Sequence, residues 1–120
     1  MRGSEMIAAW VEDIKGAADP EGLGMILVHN GIVRATSREG ELVGGMNLSY
    51  DSAMLQKVVA DRKKEGGITD IRVWINQGDL KIGDDIMVLL VAGRYRTDVL
   101  PVFESLLTTI KKEVVRETEI

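Results

Sequence analysis

Three cations stand where this chain changes direction. Arg34 follows the apolar run Leu23–Val33 and precedes a polar loop. Arg96 closes the cluster Arg94-Tyr95-Arg96 at the end of a second apolar run, Ile86–Ala92. Lys111 falls on the flank of a later helical stripe, where a long side chain can lie along packed surface and aim its ammonium into a groove. A guanidinium is a planar fork that binds two oxygens at once, and an ammonium is a compact point charge. The chemistry these residue types suit is anion binding. Tyr95 adds a phenol, which can hydrogen-bond but cannot act as a base near neutral pH.

Other chemistries lack their parts. There is no cysteine, so a thiolate site and a disulfide framework are excluded, and with His29 the single histidine a His-based metal site or a Ser-His-Asp triad has few parts to draw on. His29 itself lies on a mostly apolar strand and reads as packed or edge-exposed. The glycines at 22, 24, 31, 44 and 45 do not form a phosphate-cradling fingerprint between strand and helix. Asp84-Asp85 imitates a pair of acids but belongs to a turn that favours Asp. The methionines read as core filler. A net charge of −4 and few aromatics argue against a nucleic-acid surface. No apolar run nears the roughly 20 residues of a membrane span, and no secretory leader is recognisable, so the plain expectation is cytoplasmic.

The elements that must position the cations follow from periodicity. The spacing predicts a helix over Ser4–Lys15, capped by Ser4 and ended by Gly16, with Met6, Ile7, Trp10, Val11 and Ile14 on one face. Leu23–Val33 reads as a strand in which Gly31 marks a bulge or close approach. Residues 35–45 form a mobile loop or loose hairpin, and Met46–Tyr50 a short strand. Asp51 or Ser52 caps a second helix with Met54, Leu55, Val58 and Val59 inward, stopped by Gly66-Gly67. Ile68–Asn76 alternates as a half-buried strand. After a turn at Gly83-Asp84, Ile86–Ala92 is apolar without a break, the mark of a strand covered on both faces. The last helix, capped by Thr97 or Asp98 with Pro101 in its first turn, carries the stripe Val99, Phe103, Leu106, Leu107, Ile110 and Val114. Lys111 flanks this stripe and Lys112 faces water. The order is α-β-β-α-β-β-α, an α+β class with a mainly antiparallel sheet, expected as one domain over residues 1–120.

The order of these features resembles the large, catalytic subunit of molybdopterin synthase. Gly31-Ile32-Val33-Arg34 is similar to a G-x-V-R segment of that family. Gly78-Asp79-Leu80, then Gly83-Asp84, an apolar strand and Tyr95-Arg96 match its G-E-L, its G-D and its His-Arg pair. From that pair to the family's first essential lysine the spacing is kept without a gap and lands on Lys111. The likeness runs from about Gly24 to Val115. Some positions depart: Tyr95 replaces the family histidine, Ile75-Asn76 an earlier His-Arg pair, and Thr118 the second essential lysine. The family's C-terminal Trp-Lys segment has no counterpart, as in a divergent, shortened member.

The resemblance implies an α/β hammerhead fold and a homodimer. It also implies a small ubiquitin-like sulfur-carrier partner whose Gly-Gly thiocarboxylate delivers sulfur to cyclic pyranopterin monophosphate, forming the dithiolene of molybdopterin. By position, Arg34 and Arg96, with Tyr95, would hold the substrate, and Lys111 would sit at the reacting centre as the catalytic residue. No metal and no cofactor is expected, the pterin being substrate. A sulfurtransferase of molybdenum cofactor biosynthesis is one reading. The alternative is a non-catalytic homodimeric anion- or pterin-binding paralogue, and a third is a ferredoxin-like regulatory domain for a small metabolite.

Overall fold

The computed structural model describes residues 2–120. Its elements are α1 (Gly3–Ala17), β1 (Met25–Ile32), β2 (Gly45–Tyr50), α2 (Ser52–Lys63), β3 (Ile68–Ile75), β4 (Gly78–Lys81), β5 (Asp85–Gly93) and α3 (Arg96–Thr109). A π-helical turn (Ile110–Val114) and β6 (Val115–Glu119) follow. The expected α+β order is kept, and two short strands, β4 and β6, join it. The strands form two antiparallel three-stranded sheets, β1-β5-β3 and β4-β2-β6.

Alternation along β5 explains how the layers stack. Met87, Leu89 and Val91 face a core shared with α2, α3 and the second sheet, through residues such as Val58, Val99, Leu106, Leu48 and Leu80. Leu90 and Ala92 face the opposite way, against Ile14, Trp10 and Val11 of α1. Both faces are covered, so Val88 to Ala92 are fully buried and the strand is apolar from Ile86 onward. The alternation expected of β3 is observed: Ile71 and Ile75 are buried, while Arg72 on the other face bonds Asp70 and reaches Asp13 of α1. In β1 the register shifts between Gly31 and Ile32, the irregularity that Gly31 suggested.

Helix starts differ from expectation where capping comes from elsewhere. Asp51 caps α2 as read, its carboxylate accepting from Met54 N at 3.0 Å. Helix α1 begins at Gly3 with Arg2 as N-cap and no local side-chain cap, so Ser4 lies inside it. A carboxylate from β5 fills that role: Asp85 Oδ2 accepts from Gly3 N at 2.8 Å. Helix α3 begins at Arg96, with Tyr95 as N-cap, two or three residues before the predicted caps Thr97 and Asp98. Asp98 ion-pairs Arg94 instead. Pro101 therefore sits in the second turn; the carbonyl it leaves free belongs to exposed Thr97, where water can satisfy it.

The predicted stripe continues to Val114, but the α-helix does not. After Thr109 the backbone widens into the π turn, whose buried Ile110 and Val114 keep the stripe packed. The chain then leaves as β6 and pairs with β2.

Candidate functional site

The first sheet separates the predicted cations into two groups. In the β1–β5 ladder Ile32 is opposite Asp85 and Met25 opposite Gly93. Arg34, just past β1, thus emerges where β5 begins, whereas Tyr95 and Arg96 emerge where β5 ends. Eight strand residues span about 26 Å. Lys111 follows α3, which Arg96 opens, and at about 1.5 Å per residue the two are on the order of 20 Å apart. Lys111 returns to the Arg34 end.

There the structure brings Arg34 and Lys111 together. Both line a cavity of about 440 Å³ whose walls include Val33, Ile86 and Met46. Arg34 Nε donates to the Thr36 carbonyl at 3.1 Å, which fixes the guanidinium; its terminal Nη groups have no protein acceptor among the described residues. Arg38, Ser37 and Thr36 of the loop after β1 also line the cavity. That loop is closed by the Thr36–Leu42 bridge and by Glu41 N donating to Ser37 Oγ at 3.1 Å, the loose hairpin that sequence allowed. Opposite stand Glu117 and Glu119 of β6. The ion pairs among the described residues lie elsewhere, at Arg62–Asp61, Lys63–Asp70, Arg72 with Asp13 and Asp70, and Arg94–Asp98.

His29 stands on the same face of β1 as Gly31, with its Nε2 so close that a Cβ at Gly31 would lie 3.2 Å from it. Burial, and after it the charge of Lys111, lower the imidazole below its ordinary 6.5. With its pKa lowered, His29 is predominantly neutral at pH 7, and it is not among the residues that line the cavity. Among the described residues, no group of three or more His, Asp or Glu side chains could hold a metal.

At the far end, Arg94 lies 4.9 Å above the Tyr95 ring and pairs with Asp98 at 3.3 Å. Tyr95 is 61% exposed and Arg96 is exposed. Within one chain neither reaches the cavity of Arg34 and Lys111. Thr118, where the family's second lysine aligns, pairs with exposed Asn47 and so shares the outer face of the second sheet. Arg38, Glu117 and Glu119 were not singled out by sequence. The signal was present only as acids alternating at Glu117 and Glu119.

Residues 5–113 match the family model described as MoaE protein. No curated protein matches the chain. A complex of subunits 1 and 2 of the molybdopterin-converting factor of Helicobacter pylori contains a similar chain, with TM-score 0.79, 19% identity, and coverage of 99% of this chain and 78% of that one. Molybdopterin synthase of Staphylococcus aureus is similar with TM-score 0.72 and 22% identity over 91% of this chain and 82% of that one. A molybdopterin biosynthesis MoaE protein of Burkholderia ambifaria gives TM-score 0.72 and 22% identity, over 94% and 77%. At such identities the structures speak for the fold, and the family model speaks for descent. No helix among the described residues is long and apolar enough to cross a membrane. With the family model matched over residues 5–113 and the fold shared along nearly the whole chain, this protein belongs to the MoaE family, the large-subunit family of molybdopterin synthase, in molybdenum cofactor biosynthesis.

Proposed function

We propose that this chain is the pterin-binding, catalytic subunit of a molybdopterin synthase. It binds cyclic pyranopterin monophosphate and positions it to receive sulfur directly from the thiocarboxylated Gly-Gly tail of a small ubiquitin-like partner, whose tail leaves as the free carboxylate. The observation that carries the reading is the convergence of Arg34 and Lys111 on one cavity of about 440 Å³. That volume lies within the usual range for small-ligand sites. Arg34, already oriented through Nε, offers its remaining fork to phosphate. Lys111 neutralises charge that develops as the acyl thiolate tail meets the pterin. The Helicobacter pylori relative is a complex of two subunits, which supports a second, small chain here.

Tyr95 and Arg96 enter through a homodimer. Both are exposed at the end of the molecule away from the cavity, and a two-fold related copy can present them to it. Binding of cyclic pyranopterin monophosphate, followed by turnover with a thiocarboxylated partner, tests the proposal. Product formation that depends on Lys111 supports it; pterin binding without turnover in the presence of a competent partner refutes the catalytic part.

One observation favours the second reading, a non-catalytic pterin- or anion-binding paralogue. Thr118 lies on the outer face of its strand, so this chain presents only Lys111 where the family uses two lysines. The same turnover measurement separates the two.

A further inference from the structure

Glu117 and Glu119 occupy positions that a strand of this kind gives to apolar side chains. They pair with Leu48 and Met46 of β2, and directly opposed residues of an antiparallel ladder project to the same face. Leu48 and Met46 are buried core residues, so the two carboxylates stand on the same side of the second sheet as these two, although both remain exposed at its edge. At this edge the inner face opens into the cavity of Arg34, Arg38 and Lys111. Neither carboxylate forms a direct ion pair with Arg34, Arg38 or Lys111, since the ion pairs among the described residues lie elsewhere. For a ligand that is only an anion they are a liability, since like charges repel.

The arrangement suits a ligand with two unlike ends. An ionised carboxylate only accepts hydrogen bonds, and it matches two parallel N–H donors. We propose that Glu117 and Glu119 determine specificity: they receive the ring N–H and exocyclic amine of a cyclic guanidine edge on a heterocycle whose phosphate binds Arg34, Arg38 and Lys111. Pterins and guanine nucleotides share that edge; the proposed function makes the pterin phosphate the natural ligand. The inference rests on that reading and adds to it the residues that select the ring. An analogue without the amine leaves a carboxylate unpaired and is rejected for that reason. Two residues apart on one strand face, the acids are about 7 Å from each other, so single variants separate their shares.

Calorimetric titration of the whole chain as wild type, E117Q, E119Q and the double variant tests this, with matching thermal melts as the check on folding. The probes are cyclic pyranopterin monophosphate, guanosine 5′-monophosphate, inosine 5′-monophosphate and inorganic phosphate. The expected result is pterin phosphate binding at least about tenfold weaker in the double variant, with phosphate bound equally or more tightly. Pterin phosphate binding that is unchanged or tightened in the double variant overturns the proposal, for then the acids only offset positive charge. Wild-type preference for the guanosine over the inosine nucleotide, lost in the double variant, without pterin phosphate binding supports the carboxylate role and refutes the pterin reading. Binding of phosphate but of no heterocycle, or of no probe, refutes both.

Discussion

Lys111 and Lys112 are adjacent in sequence and line different cavities. Lys111 shares its cavity with Arg34, Arg38 and Glu117. Lys112 borders another, of about 310 Å³, with Ser49, Tyr50, Asp51 and Arg116. The separation arises in the π turn, where buried Ile110 and Val114 hold the backbone and the residues between them fan outward.

Substitution of each lysine by alanine should therefore divide cleanly. Lys111→Ala is expected to lower turnover about a hundredfold or more, while Lys112→Ala leaves it unchanged. Both side chains are exposed, so each change should cost about 0.5 kcal/mol or less in stability. Parallel rate measurements and thermal melts check this. Equal loss of activity in both variants would remove Lys111 from the reacting centre.

Because Arg96 and Lys111 are separated by the length of α3, a site containing both needs two chains. Mixing Arg96→Ala with Lys111→Ala subunits should restore activity, since a heterodimer keeps one site with both residues intact. Random exchange should give about one quarter of the wild-type rate. No recovery after exchange confirmed by mass spectrometry would count against a shared site.

His29 offers a direct reading of the electrostatics around Lys111, as the chain has only one histidine. Its NMR titration midpoint should lie below 6.5, and Lys111→Ala should raise it without removing the depression, because burial is the larger cause. The stability consequence has a definite sign. Well above pH 6.5 both folded and unfolded chains carry neutral His29, and it contributes nothing to the slope. As pH falls through 6.5 the unfolded chain takes the proton first, so stability declines until the folded-state value is passed. His29→Gln should flatten that part of a melting-temperature profile; an unchanged slope would show that other groups set it.

Asp85 joins three elements, accepting from Gly3 N of α1 at 2.8 Å and from Asn30 Nδ2 of β1 at 3.0 Å while it opens β5. With no local cap on α1, Asp85→Ala should cost about 1–2 kcal/mol and fray the helix start. Chemical denaturation, with hydrogen exchange at residues 3–6, measures both effects. A loss of stability without faster exchange there would place the contribution in Asn30 instead.

Much of this protein was legible from its residues alone. The unbroken run Ile86–Ala92 specified a strand covered on both faces, Gly31 marked the shift in the β1 ladder, and Asp51 marked the start of α2. Arg34 at a strand end and Lys111 off the apolar stripe could also be placed, because burial and helical periodicity are local constraints that each residue records. Val115–Glu119 records none: it lacks apolar alternation and becomes β6 because β2 has an edge to complete, through backbone bonds that any side chains permit. That pairing set Glu117 and Glu119 on the side of the Arg34 cavity and Thr118 on the other, and the length of α3 set Arg96 away from Lys111. Only the tertiary structure decided these placements, since they depend on distant partners and on distances that accumulate along whole elements.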